Sequence, residues 1–108
     1  MLYESVFVIS GQVTPKSADE KFKEFQEFIK NSGGKILKSE SWGLRTLAYK
    51  IKKNTKGYYF MINTDCEVSA FDELKIKLKQ DINFLRFLNL KIKEVEKGNS
   101  FLLENKEE

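Results

Sequence analysis

The chain has 108 residues and a net charge of +3, and 41% of its residues are hydrophobic, which is typical of one folded domain. It contains no histidine, the commonest general base and metal ligand, and its single cysteine cannot form an internal disulfide. The composition therefore argues against an enzyme, a metal or other cofactor and a small-molecule substrate, and no apolar run is long enough for a membrane span.

Elements in the first third of the chain are marked by clear start and stop signals. Aromatic and β-branched residues predict a buried strand over residues 3–9. Thr14 before Pro15 predicts a capped helix start, and apolar residues at helical spacing extend this helix to about residue 32. Gly33 and Gly34 then end the helix.

The middle of the chain reads as an antiparallel hairpin followed by a helix and a last strand. Residues 35–53 form a long strand with a bend at Gly43, residues 54–57 give a turn signal, and residues 58–64 form the returning strand. Ser69 predicts the cap of a helix that ends near residue 80, and residues 84–92 predict the final strand. We expect one domain over residues 1–93 and a polar, mostly flexible tail over residues 94–108.

This order of elements predicts an α+β, ferredoxin-like βαββαβ fold, in which two helices cover one face of a four-stranded antiparallel sheet. Period-2 alternation directs Phe60 and Ile62 toward the helices and leaves a partly apolar face on the other side. We expect this face to bind a protein partner, unless the C-terminal tail folds back over it. The predicted protein-interface residues are Val6, Val8, Tyr59, Met61, Phe101 and Leu102.

Positive charge is concentrated in one quarter of the chain. Residues 30–56 carry a net charge of +7, whereas residues 1–29 and residues 57–108 each carry −2. The basic residues are lysines apart from Arg45 and Arg86, so the chain would bind a polyanion mainly through point charges. Two interpretations remain open, namely a solvated hairpin whose lysines protect the sheet edge and an electrostatic footprint for phosphate.

A nucleic-acid interpretation has two forms, of which the first is a free-standing RNA-recognition-motif-like domain that binds single-stranded RNA. The run from Lys56-Gly57 through Tyr58-Tyr59-Phe60 is similar to the motif of such domains. In that motif Tyr58 and Phe60 would be exposed for stacking, which is the opposite of the alternation expected here. A small-molecule regulatory domain of the same fold is a further alternative.

The second form comes from a resemblance. The run Gly43-Leu44-Arg45-Thr46-Leu47-Ala48-Tyr49-Lys50-Ile51-Lys52-Lys53 resembles the signature hairpin of the bacterial small-subunit ribosomal protein six family. Tyr3-Glu4 and residues 82–87 also resemble that family, although Leu2 and Thr46 stand where members often carry arginine. The resemblance implies a non-catalytic, structural protein of the cytoplasmic ribosome. It also implies binding to the central domain of 16S ribosomal RNA as a heterodimer with ribosomal protein eighteen.

The resemblance and the basic hairpin together give the expected RNA contacts, which are Arg45, Tyr49, Lys50, Lys52, Lys53, Lys56 and Arg86. Five of them match basic or aromatic positions of the family, whereas Lys50 and Lys56 belong to the same basic segment. Alternatives remain for some of these side chains. Arg45 could pair with Glu40, Tyr49 could pack within the sheet, and Arg86 could simply be solvated. Trp42 is expected to pack at the strand bend.

Cys66 is the one nucleophile of note in the sequence. It lies between Asp65 and Glu67, whose charges would raise its thiol pKa and leave it unreactive. The sequence therefore predicts a structural cysteine.

Overall fold

A computed structural model describes residues 1–94, and Phe101 and Leu102 of the predicted tail lie outside this range. The elements in chain order are β1 (Leu2–Ser10), α1 (Pro15–Asn31), β2 (Lys35–Ile51), β3 (Asn54–Asp65), α2 (Val68–Lys79) and β4 (Phe84–Ile92). The strands form one antiparallel sheet in the order β2-β3-β1-β4. This arrangement confirms the predicted ferredoxin-like fold.

The two helices begin in different ways. Thr14 caps α1 as predicted, because its hydroxyl oxygen accepts a hydrogen bond from the Ser17 N–H at 3.1 Å. The predicted Ser69 cap of α2 is wrong, since the helix already begins at Val68 and Glu67 occupies the cap position without a side-chain bond. A backbone hydrogen bond defines the beginning of α2, because the Glu67 carbonyl accepts from the Ala70 N–H at 3.1 Å.

The core between the helices and the sheet is built largely from phenylalanine. Phe22 of α1 stacks on Phe60 of β3 with ring centroids 4.5 Å apart, and Phe25 stacks on Phe7 of β1 at 5.2 Å. Such aromatic pairs contribute about 0.5–1.5 kcal/mol each beyond their buried area. Ile62 lies in the same cluster, so the predicted alternation along β3 is confirmed.

A second apolar cluster lies on the sheet face away from the helices. Val6, Val8, Leu47 and Met61 are its buried members, and Trp42, Ile51, Tyr59, Leu85 and Leu88 pack against them. The predicted side of the sheet is therefore right for Val6, Val8, Tyr59 and Met61. The expectation that this face is open is wrong for Val6, Val8 and Met61, which are at most 1% exposed.

The end of β2 explains this burial. The pairing register between β2 and β3 breaks between Thr46 and Ile51, and this part of the chain bends over the non-helical face. Leu47 and Ile51 thereby join the second cluster, and Lys52 reaches as far as Phe84 on the opposite edge strand. The bend at Gly43, where φ is +77°, coincides with an earlier register shift, as predicted.

The hairpin turn lies two residues before its predicted position. Ile51 pairs with Asn54, so Lys52 and Lys53 form a two-residue turn and residues 54–57 belong to β3. Both lysines have positive φ, at 48° and 66°, which is the geometry of a type I′ turn. This turn usually contains asparagine or glycine, and neither residue occupies the two central positions here.

Candidate nucleic-acid interface

Four exposed lysines of the basic segment gather at the end of the β2–β3 hairpin, whereas Lys30 and Lys35 lie at the other end of β2. The four exposed side chains fall within a short stretch of the chain, namely Lys50, Lys52, Lys53 and Lys56. Arg45 is half-buried, and its Nε donates to the Trp42 carbonyl at 3.3 Å. The structure thus brings half of the segment's basic side chains to the hairpin end.

Arg86 and Tyr49 are brought together from opposite edges of the sheet. Arg86 on β4 donates a hydrogen bond from Nη2 to the Tyr49 hydroxyl, and its guanidinium lies 5.2 Å from the centroid of the Tyr49 ring. Tyr49 is 60% exposed, so it does not pack within the sheet. Arg86 is therefore held in place by Tyr49 rather than left to solvent, with part of the guanidinium still available to a ligand.

Lys52 connects the turn to the start of β4, since its Nζ donates to the Phe84 carbonyl at 3.1 Å. Nearby, Asp81 forms a 2.6 Å ion pair with Lys21 of α1. Partial burial acts to raise the pKa of Asp81, but hydrogen bonds from Lys21 and from the Asn83 N–H outweigh it and hold the pKa below its usual value. The connection before β4 is consequently fixed at both ends.

Asn54 holds the lysine turn from inside. Its Nδ2 donates to the carbonyls of Ile51 and Lys52 at 3.2 and 3.1 Å, and its Oδ1 accepts from the Ser10 hydroxyl at 2.6 Å. Only 6% of Asn54 is exposed. Left-handed backbone at a residue other than glycine costs about 1 kcal/mol or more, and these bonds offset that strain. Sequence reasoning treated Asn54 as part of the turn and missed this role.

A cleft of about 360 Å³ opens beside this turn, where the β1–α1 loop and the α2–β4 connection meet the hairpin. We call it the loop-end cleft, and its wall includes Gln12, Lys52, Lys53, Asn54, Ile82 and Asn83. Gln12, Ile82 and Asn83 were not predicted as site residues, because no motif marks them and their proximity is created by the fold.

On the non-helical face, Trp42 stacks on Tyr59 at 6.4 Å with an angle of 17° between the rings. The Trp42 Nε1 donates to Glu40 at 2.7 Å, and Glu40 also pairs with Lys38 at 3.1 Å. Trp42 packs at the strand bend, as predicted. These half-buried side chains, rather than Val6, Val8 and Met61, form the accessible layer of this face.

The surroundings of Cys66 are those of a buried, unreactive thiol. Burial is the main cause that raises the pKa of the Cys66 thiol, and the charges of Asp65 and Glu67 add to it, which agrees with a structural cysteine. No cluster of metal-ligating side chains occurs within residues 1–94. Nor is any helix there long and apolar enough to cross a membrane. Tyr58 and Phe60 lie in the helix-face core, so they do not form the stacking pair of an RNA-recognition motif.

Known proteins resemble the chain over almost its whole length. The family described as ribosomal protein S6 matches residues 2–91. Small ribosomal subunit protein bS6 of Rickettsia prowazekii is 41% identical over 103 residues, which cover 95% of this chain and 85% of that protein. The bS6 protein of Bartonella bacilliformis is 36% identical over 102 residues, which cover 94% and 75% of the two chains. The crystal structure of 30S ribosomal protein S6 from Thermotoga maritima has a TM-score of 0.78 at 29% identity and covers 98% of this chain and 92% of that one.

Proposed function

The chain belongs to the ribosomal protein S6 family and is therefore a structural, non-enzymatic protein of the small ribosomal subunit in the cytoplasm, and on this premise we propose that it binds the central domain of 16S ribosomal RNA together with ribosomal protein eighteen. The observation that carries the RNA half of the proposal is the meeting of the lysine-rich hairpin end with Arg86 at one end of the sheet. The two halves of the proposal use adjacent regions, the hairpin end with Arg86 for RNA and the layer around Trp42 and Tyr59 for the protein partner.

Phosphate contacts come from the hairpin end. Lys50, Lys52, Lys53 and Lys56 are exposed side chains on one short segment, and each phosphate that a lysine neutralises releases bound counterions. These contacts position the protein on the RNA without reading its sequence. Arg86 adds a planar guanidinium that can fork onto a phosphate or a base edge, and Tyr49 keeps it in place for that contact. Arg45, which lies on β2 like Tyr49, adds a further positive charge to the proposed RNA contact.

The protein partner binds the non-helical face. A partner would touch the accessible layer around Trp42, Tyr59 and Leu88, while Val6, Val8 and Met61 support that layer from below. Half-buried aromatic side chains on a flat surface are common anchors of protein interfaces. Phe101 and Leu102 remain predicted contacts of the tail. Joint binding would raise the affinity for RNA, because each protein helps to hold the other in its bound position.

An equilibrium titration tests this proposal. The full chain is titrated onto a central-domain fragment of 16S ribosomal RNA, with and without ribosomal protein eighteen, at two salt concentrations. We expect tight, salt-dependent binding only when the partner is present. Tight binding to unrelated single strands without the partner would favour a free-standing RNA-binding domain. Absence of RNA binding in both arms would contradict the proposal.

A further inference from the structure

We propose that the loop-end cleft receives one unpaired nucleotide, with Lys52 and Lys53 at its phosphate and the side-chain amides of Gln12 and Asn83 at its base. This inference rests on the proposed RNA binding and deepens it. Lysine contacts alone carry no sequence information, whereas a cleft that holds a base gives the protein a way to recognise one position of the RNA.

The chemistry of the wall fits a nucleotide. Side-chain amides present both a donor and an acceptor, which is what the edge of a base requires. The amides of Gln12 and Asn83 make no hydrogen bond to any residue within the described range of 1–94, although both residues line the cleft. Their hydrogen-bonding capacity is therefore available to a ligand.

Ile82 supplies an apolar surface at the rim of the same cleft. It is 82% exposed, which is more than any other large hydrophobic residue in the described range. An aliphatic side chain beside two lysines and two amides can pack against the flat face of a base or against a ribose. A ligand made only of phosphate groups would gain no favourable contact with this aliphatic side chain.

The size of the cleft limits the ligand. Its volume of about 360 Å³ lies at the lower end of the range for small-molecule sites, which is about 300–1,000 Å³. This space suits a single nucleotide and not a helix or a folded partner. An unpaired base can be turned out of an RNA strand and placed in such a site, whereas a paired base cannot.

The cleft is held open in advance by Ser10, which is 2% exposed and touches all three walls. Its hydroxyl donates to Asn54 of the hairpin at 2.6 Å and accepts from the Gln12 N–H at 3.1 Å. Its N–H donates to the Asn83 carbonyl at 2.7 Å. The three connections are thus fixed relative to one another before any ligand arrives, which reduces the entropy lost on binding.

The first test uses mononucleotides and the intact, isotope-labelled chain. AMP, GMP, CMP, UMP and inorganic phosphate are titrated separately, and amide chemical shifts are recorded. We expect at least one nucleotide to shift the amides around the loop-end cleft with an affinity at least fivefold higher than that of phosphate. Equal affinity for phosphate and all four nucleotides would overturn the base contact, and shifts elsewhere or none at all would overturn the site.

The second test uses ribosomal RNA. Replacing both amides, with Gln12→Ala and Asn83→Ala, should lower the affinity for the central-domain fragment about tenfold and leave the salt dependence unchanged, because no phosphate contact is lost. The matched control is Gln26→Ala with Asn31→Ala, which removes one glutamine and one asparagine side chain from α1. If wild-type protein binds the RNA and the double variant binds equally well, this inference fails while the proposed function stands. If the wild-type protein does not bind, the proposed function itself fails. The mononucleotide titration then still shows whether the cleft binds a nucleotide.

Discussion

Arg86 donates a hydrogen bond to the hydroxyl of Tyr49, although the two residues lie 37 positions apart on strands that form opposite edges of the sheet. This contact exists because the end of β2 bends over the non-helical face as far as β4. It joins the two predicted RNA-binding elements into one surface.

Substitutions of Arg86 can distinguish the contribution of its forked hydrogen-bonding geometry from that of its positive charge. Arg86→Lys keeps the positive charge but loses the fork, so we expect about a tenfold loss of RNA affinity with an unchanged salt dependence. Arg86→Ala should lower the affinity further and also reduce the salt dependence by about one unit. Filter-binding titrations at three or more salt concentrations give both quantities. Wild-type affinity for Arg86→Lys would show that a point charge is sufficient.

Lys52 and Lys53 are the residues that we expect to contact phosphate at the hairpin tip. Replacing both with alanine should reduce the slope of log K against log salt by roughly two units, because each contact releases about one counterion. Lys16→Ala with Lys23→Ala removes the same charge from the exposed side of α1 and should leave the slope near that of the wild type. An unchanged slope in the hairpin variant would remove these lysines from the interface.

Asn54 should be important for stability as well as for the shape of the site. Asn54→Ala removes three hydrogen bonds and leaves the buried Ser10 hydroxyl without its acceptor, so we expect the free energy of unfolding to fall by about 2–4 kcal/mol. Urea unfolding monitored by circular dichroism measures this change. Lys53→Gly is a useful contrast, because relief of the left-handed strain should stabilise the protein by up to about 1 kcal/mol. A loss below about 0.5 kcal/mol for Asn54→Ala would mean that the turn is stable without the hydrogen bonds of the Asn54 side chain.

The ion pair between Lys21 and Asp81 predicts a specific pH dependence. The pKa of Asp81 is lower in the folded than in the unfolded chain, so its contribution to stability is present above the ordinary aspartate pKa and is lost as the pH falls through the lower, folded value. Asp81→Asn should therefore destabilise the protein by about 0.5–1 kcal/mol at pH 7, with little effect near pH 2. Thermal unfolding at both pH values tests this, with Asp19→Asn, exposed on α1, as the control. An equal loss at both pH values would point to packing rather than charge.

The sequence predicted those features that depend on local pattern. The alternation of Tyr59, Phe60 and Met61 assigned both faces of β3 correctly, because side chains alternate strictly along a strand. Thr14 and Gly33 marked the limits of α1, since caps act through neighbouring backbone groups.

Features that depend on distant residues were missed. The turn at Lys52 and Lys53 has no turn signature of its own and is held by a bond between residues 44 positions apart. The burial of Val6 and Val8 requires the end of β2 to cross the sheet, which no periodicity encodes. The loop-end cleft belongs to the same class, because its wall comes from three separate connections.

The crossing of β2 to β4 also bears on when a chain becomes competent to assemble. Tyr49 and Lys52 are translated well before Arg86 and Phe84, and they meet only after the last strand has docked beside β1. An incompletely synthesised or partly unfolded chain carries the same lysines but cannot present them beside Arg86. The composite surface is therefore complete only in a chain whose last strand has docked beside β1.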